Sequence, residues 1–165
     1  MVRASACHAE GRGFKSRHSR HIIKKMFYIL NGPNLNILHK RSTNLYGKTS
    51  IENIKKKCLE KAAALNVDID FRQTNYEGEL VEWVQESADY AKGLIINAGA
   101  YTHTSIALYD ALEILTIPII EVHLSNIYKR ESFRHHSYIH SHAAGIIMGM
   151  GETSYALALD ALASF

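Results

Sequence analysis

The chain has 165 residues, 47% of them hydrophobic and 21% charged with only two prolines, the composition of one globular domain rather than of a disordered or fibrous chain. No apolar run reaches the roughly 18 residues of a membrane span. The formal charge of +3 is unevenly spread: residues 1–25 hold seven of the nineteen Lys and Arg but one of the sixteen Asp and Glu, which leaves a body with twelve basic against fifteen acidic residues and no basis for a nucleic-acid surface.

Cys7 and Cys58 fall short of a disulfide framework, and neither sits in a C-x-x-C pair or another metal-ligand spacing, which fits a reducing, cytoplasmic compartment. Residues 1–25 are basic, acid-poor and serine-containing, and they lack the apolar core of a secretory signal. They are expected to form a disordered extension ahead of Met26, with targeting and oligomer contacts as the alternatives, and the chemistry is expected in one domain over residues 26–165.

From Met26 onward, short runs rich in Ile, Val and Phe alternate with segments of helical period, the pattern of an α/β domain with a parallel sheet. Strands are expected at Phe27 to Leu30, Val67 to Gln73, Gly93 to Asn97, Pro118 to His123 and Gly145 to Met148. Ile51, Ile54, Cys58, Ala62 and Leu65 recur at spacings of three and four and predict one helix, with Thr49 and Glu52 as its capping box. A second helix carries Leu80, Val81, Val84 and Ala88, a third Ile106, Leu108, Ala111, Leu112 and Leu115, and a last one Leu157, Leu159 and Leu162. Five strands with intervening helices point to a flavodoxin-like three-layer sandwich of order 2-1-3-4-5, in which ligands gather at the carboxyl ends of the strands.

Those ends are where the polar residues concentrate. The first strand runs into Asn31-Gly32-Pro33-Asn34-Leu35-Asn36, which a plain turn would also explain, and it has neither a G-x-G-x-x-G nor a P-loop pattern. The polar segment His39 to Lys48 is long for a strand-to-helix connection and has the length of a lid. Within it, a guanidinium at Arg41 about 4 Å from the phenol of Tyr46 would attract the phenolate by roughly 4 kcal/mol at an effective dielectric near 20, enough to make a base of it. A solvated arginine and a packed tyrosine are the plainer alternative.

The third strand leads into Asn97-Ala98-Gly99-Ala100-Tyr101-Thr102-His103-Thr104-Ser105, an amide, a small turn and an imidazole at a helix entrance. A helix capped by Thr102 or Thr104 accounts for the same residues, and His103 and Asp110, seven apart, are expected on one helix face. The fourth strand ends in Glu121-Val122-His123-Leu124-Ser125-Asn126. Glu121 and His123 share one side of it, and such a pair inside a buried strand is costly unless mutually satisfied. A carboxylate-held imidazole suits a general acid, and a satisfied core pair is the alternative. Arg130 and Arg134, four apart, are expected on a helix whose start presents the backbone amides of Leu124 and Ser125 to an anion, although surface arginines have the same spacing. His135, His136, His140 and His142 match no familiar zinc spacing, and no metal is expected there.

Taken in order, the Asn31 to Asn36 turn, Arg41 with Tyr46, the Asn97 to Ser105 run, the Glu121 to Asn126 run and Arg130-Glu131-Ser132-Phe133-Arg134-His135-His136-Ser137 closely resemble the type II 3-dehydroquinate dehydratases over residues 26 to about 163. Tyr101 and Ser132 depart mildly from that pattern, and residues 1–25 lie outside it. The resemblance implies a lyase of the shikimate pathway, with quinate breakdown as the alternative use of the same step, that eliminates water from 3-dehydroquinate through an enolate, without metal or organic cofactor. It implies a homododecamer built as a tetramer of trimers, with no nucleic-acid or membrane partner. By the same resemblance Tyr46 is the base, Arg41 its activator, His123 the acid oriented by Glu121 and Asn97, and Asn34 the holder of a water at the enolate oxygen. His103, Arg134 and the Leu124 and Ser125 backbone are then substrate contacts, Arg130 helps close the lid, and Asp110 reaches the site of a neighbouring subunit. The rival classes are a flavodoxin-like module that binds an anion without turnover and a purely structural assembly protein. Neither accounts for a base, an acid and an anion-binding set at the same strand ends.

Overall fold

A computed structural model describes residues 26–40 and 49–165 of the chain. The five apolar runs form strands β1 (Met26–Asn31), β2 (Asp68–Gln73), β3 (Gly93–Asn97), β4 (Ile119–His123) and β5 (Gly145–Met148). They pair in parallel in the order β2-β1-β3-β4-β5. β3 and β5 have the bounds expected from sequence. β2 and β4 each start one residue later than expected, because the Val67 N–H closes the preceding helix by donating to Ala62 O at 3.0 Å, and Pro118 has no N–H for the ladder.

Among the described residues four helices, α1 (Ile51–Ala64), α2 (Glu77–Tyr90), α3 (Ile106–Glu113) and α4 (Thr153–Ala163), complete three layers. Strand alternation sends Phe27 and Ile29 to one face, where they meet Ile54 and Cys58 of α1 and Leu159 and Leu162 of α4. Tyr28 and Leu30 point to the other, against Leu80 and Val84 of α2 and Leu108 and Leu112 of α3. Both faces are covered, so the inner strands read as unbroken apolar runs. Each fully buried Ile or Leu contributes about 1.5–3 kcal/mol.

The helix boundaries depart from the sequence reading in detail. Ser50 caps α1, accepting from the Asn53 N–H at 3.3 Å, while the expected cap, Thr49, donates to Glu152 at 2.6 Å and ties the entry of α1 to the start of α4. Asn66, in the left-handed region at φ 55°, ends α1 with paired bonds from Asn66 and Val67 to Ala63 and Ala62, a Schellman closure. On α2 the buried third position is Ser87, not Ala88, because the Ser87 hydroxyl donates to Val84 O at 2.6 Å and leaves no polar group unpaired. On α3 the first residue, Ile106, is 59% exposed, and on α4 Leu157 is 39% exposed while Tyr155 takes the core position. Among the described residues no helix is long and apolar enough to cross a membrane.

The carboxyl ends of β1 and β3 are brought together backbone to backbone. The Gly32 N–H donates to Asn97 O at 2.8 Å, and a Cβ on Gly32 would stand 2.2 Å from Ala98 O, so only glycine fits. The turns leaving the two strands therefore share one edge of the sheet, at the point where the strand order reverses.

Candidate active site

β4 supplies the central pair. Glu121 is fully buried and His123 nearly so, and Nε2 of His123 lies 2.7 Å from Oε1 of Glu121. The same carboxylate oxygen accepts from the Ser137 hydroxyl at 2.9 Å. Oε2 makes no hydrogen bond among the described residues. A carboxylate this deep is tolerated because its charge is spent on an imidazole and a hydroxyl.

The ends of β1 and β3 place two carboxamides beside this pair, joined through a residue far along the chain. Tyr155 of α4, fully buried, donates from its hydroxyl to Asn31 Oδ1 at 2.6 Å and accepts from Asn97 Nδ2 at 2.9 Å. Burial raises the Tyr155 phenol far above its ordinary range, so it remains a neutral donor. Asn97 Oδ1 receives the Gly99 N–H at 3.4 Å. The Asn97 side chain is therefore bonded to Tyr155 and the Gly99 turn, not to His123 as expected. Asn34, in the next turn, sits at φ 65°, a conformation asparagine accepts more readily than other non-glycine residues. Its N–H donates to Asn75 Oδ1 at 2.8 Å, which holds the turn against the one that follows β2.

His103 closes the 3-10 turn Gly99–His103, and α3 starts only at Ile106, capped by Ser105, which accepts from the Leu108 N–H at 2.9 Å. The expected caps, Thr102 and Thr104, are displaced because Thr102 lies inside the 3-10 turn and Thr104 closes it. For the same reason His103 and Asp110 do not share a helix. Asp110 is exposed on α3 and is not among the residues lining the cleft described below. The ring of His103 lies nearly parallel to that of His123, at a centroid distance of 6.3 Å and an angle of 11°. Its Nδ1 is 2.7 Å from His136 O. Burial lowers the His103 pKa below its ordinary value, with smaller contributions from the positive charges of His123 and Arg134.

After β4 the chain forms two short 3-10 turns, Ile127–Lys129 and Ser132–Arg134, in place of the expected helix. The Asn126 side chain caps the first by accepting from the Tyr128 N–H at 3.0 Å. Between the turns stands Glu131, which the sequence reading passed over. It accepts from Arg134 Nε at 2.9 Å and lies 3.5 Å from Arg130 Nε. Its own backbone N–H and then Arg134 hold its carboxyl below the usual range. One carboxylate thus holds both guanidinium groups at the mouth of the site.

These elements enclose a cleft lined by Asn34, Asn97, His103, His123, Leu124, Ser125, Arg130 and Arg134, together with Pro33, Leu35, Gly99, Ala100 and Ile127. Every site residue expected from sequence that is described lines it, apart from Glu121, which stands behind His123, and Asp110. Arg41 and Tyr46 lie outside the described residues. Among the described residues no group of three or more His, Cys, Asp or Glu converges as metal ligands would. Sequence reasoning missed Ser137 and Tyr155. Tyr155 was detectable, since with Ala158, Leu159 and Leu162 it follows helical spacing, whereas Ser137 lies in irregular chain with no periodic signal.

An open parallel sheet of order 2-1-3-4-5 with a polar, cation-lined cleft at its switch point defines a flavodoxin-like α/β enzyme class. The family model described as dehydroquinase class II matches residues 25–163, and the chain belongs to that family. A 3-dehydroquinate dehydratase of Mesorhizobium japonicum is 52% identical over 141 residues, covering 85% of this chain and 98% of its own. One of Rhizobium johnstonii is 50% identical over 140 residues, covering 85% and 97%. The crystal structure of the type II dehydroquinase from Propionibacterium acnes superposes with a TM-score of 0.83 at 41% identity, covering 86% of this chain and 98% of that one.

Proposed function

We propose that the chain catalyses the anti elimination of water from 3-dehydroquinate, through an enolate, to give 3-dehydroshikimate in the shikimate pathway. Its family makes it a hydro-lyase, a 3-dehydroquinate dehydratase of type II. The observation that carries the reading is the buried Glu121–His123 pair on the wall of a cleft that also gathers Asn34, Asn97 and two arginines.

In the proposed reaction Tyr46, as phenolate, removes the proton beside the ketone, and Arg41 stabilises both the phenolate and the charge that develops. The electron pair of the broken C–H bond forms the enolate, whose oxygen accepts from a water positioned by Asn34. Collapse of the enolate expels the hydroxyl on the neighbouring carbon, and His123, oriented by Glu121, gives that leaving oxygen its proton. Water departs and a conjugated enone remains. Acid and base each supply roughly 10²–10⁴-fold in this kind of chemistry. His103, Arg134 and the backbone at Leu124 and Ser125 would hold the substrate's carboxylate and hydroxyls, with Arg130 helping to close the site.

The proposed assembly is a homododecamer, a tetramer of trimers, with Asp110 contributed to the neighbouring subunit's site from the exposed side of α3. The catalytic domain is assigned to residues 26–165, and the compartment to the cytoplasm. The deciding experiment is ultraviolet absorbance of purified protein with 3-dehydroquinate and a chelator. Growth of the enone band is the expected result, and a folded protein that binds the acid without producing enone would overturn the reading.

A further inference from the structure

The segment between Arg134 and β5 forms no helix or strand, yet it bonds to His103 and to Glu121, the partner of His123. Ser137 within it is buried, and its hydroxyl oxygen accepts from two backbone N–H groups, Ile139 at 3.0 Å and His140 at 3.2 Å. A serine hydroxyl has two lone pairs and one proton. With both lone pairs engaged, the proton goes to the remaining neighbour, Oε1 of Glu121 at 2.9 Å. An ionised carboxylate only accepts, so the bond Oε1 shares with His123 at 2.7 Å is completed by a hydrogen on Nε2, and the Ser137 bond holds Oε1 where it meets that nitrogen.

We propose that Ser137 is a positioning residue that holds Glu121 Oε1 against His123 and so keeps the permanent proton of His123 on Nε2, leaving Nδ1 as the nitrogen that gains and releases the exchangeable proton. The inference rests on His123 as the acid of the proposed reaction. The preceding residue does the converse for the second ring: His136 O only accepts, so His103 carries its proton on Nδ1. Two adjacent residues thus set opposite tautomers on two nearly parallel imidazoles. Among the described residues, the other cationic side chains lining the cleft with the two histidines are Arg130 and Arg134, and the Glu121 carboxylate is bonded by His123 and Ser137 alone.

The test uses the full chain labelled with 15N-histidine, with the neutral rings of His103 and His123 read by nitrogen–proton correlation spectra and assigned through His103→Gln and His123→Gln. The wild type is expected to show Nε2–H on His123 and Nδ1–H on His103. Ser137→Ala is expected to give mixed tautomers on His123 with turnover of 3-dehydroquinate lower by roughly tenfold, a fraction of what a general acid supplies. Ser137→Thr, which keeps the hydroxyl, is expected to restore both. A wild-type His123 protonated on Nδ1 overturns the proposal without recourse to any variant, and so does a Ser137→Ala protein whose His123 keeps a single Nε2–H form. Mixed tautomers with undiminished turnover would support the assignment of Ser137 and strike out His123 as the acid.

Discussion

The hydroxyl of Tyr155 donates to Oδ1 of Asn31 at 2.6 Å across 124 residues of sequence, and through its second bond, to Asn97, it locks the ends of β1 and β3 to the last helix. Asn31 passes the connection on, since its Nδ2 donates to Arg72 O of β2 at 2.9 Å. Three neighbouring strands are thus held level at the edge where the cleft opens.

Tyr155→Phe keeps the ring and removes the hydroxyl, leaving buried Asn31 Oδ1 and Asn97 Nδ2 without a partner. Unpaired buried groups cost about 1–3 kcal/mol each. A fall of that size in urea unfolding free energy is expected, together with weaker substrate binding. An unchanged denaturation midpoint would contradict the bridging role.

Gly32→Ala places a methyl group on the Ala98 carbonyl, a backbone atom that cannot rotate away. Overpacking of this kind costs typically 1–3 kcal/mol, and here the only relief is to part β1 from β3 at the cleft. Thermal unfolding is expected at a lower temperature and turnover is expected to fall at least tenfold. Gly78→Ala, where nothing lies within 4 Å of the new methyl, is the matched control.

Tyr46→Phe, if Tyr46 is the base, abolishes enone formation by roughly 10²–10⁴-fold while calorimetry still detects binding of the acid. Near-normal turnover would remove Tyr46 from the mechanism.

Arg41→Ala takes away the cation assigned to stabilise the phenolate. The rate is expected to fall and the ascending limb of the pH–rate profile to move to higher pH. A slower enzyme with an unmoved profile would leave Arg41 a role in binding alone.

His103 gives a pH signature of stability. Burial holds its folded pKa below the ordinary 6.5, so as pH falls through that value the unfolded chain takes up a proton that the folded chain refuses. Stability is fully present above about pH 6.5 and declines as pH drops toward the folded value. Urea midpoints at pH 7.5 and 5.5 should differ more for the wild type than for His103→Asn, and equal differences would refute the assignment.

Much of the architecture was legible because the inner strands of a doubly covered sheet must be apolar throughout, and β3 and β5 could be bounded to the residue. Helix ends were harder where hydroxyls compete. Thr49 and Ser50 are chemically equivalent caps, and the extended backbone of Ser50, at φ −121° and ψ 163°, decides between them. The spacing of Arg130 and Arg134 fits one turn of helix, yet capping by Asn126 starts a 3-10 turn that ends before Arg130. Site residues on strand ends could be found by topology. Ser137 and the hydroxyl of Tyr155 reach the site from elsewhere in the chain; the spacing that places Tyr155 on a buried helix face does not announce its bonds to Asn31 and Asn97, which are made only after folding.

The face of the sheet covered by α1 and α4 carries a further implication. Its cluster needs Tyr155, Ala158, Leu159 and Leu162, all within the last eleven residues, to close over Phe27 and Ile29 of the first strand. A folding chain in which α4 has not yet docked can complete only the α2 and α3 side, and it carries an open apolar flank until that helix packs. Loss of α4 would leave that flank permanently bare, a target for chaperones and proteases rather than a smaller enzyme.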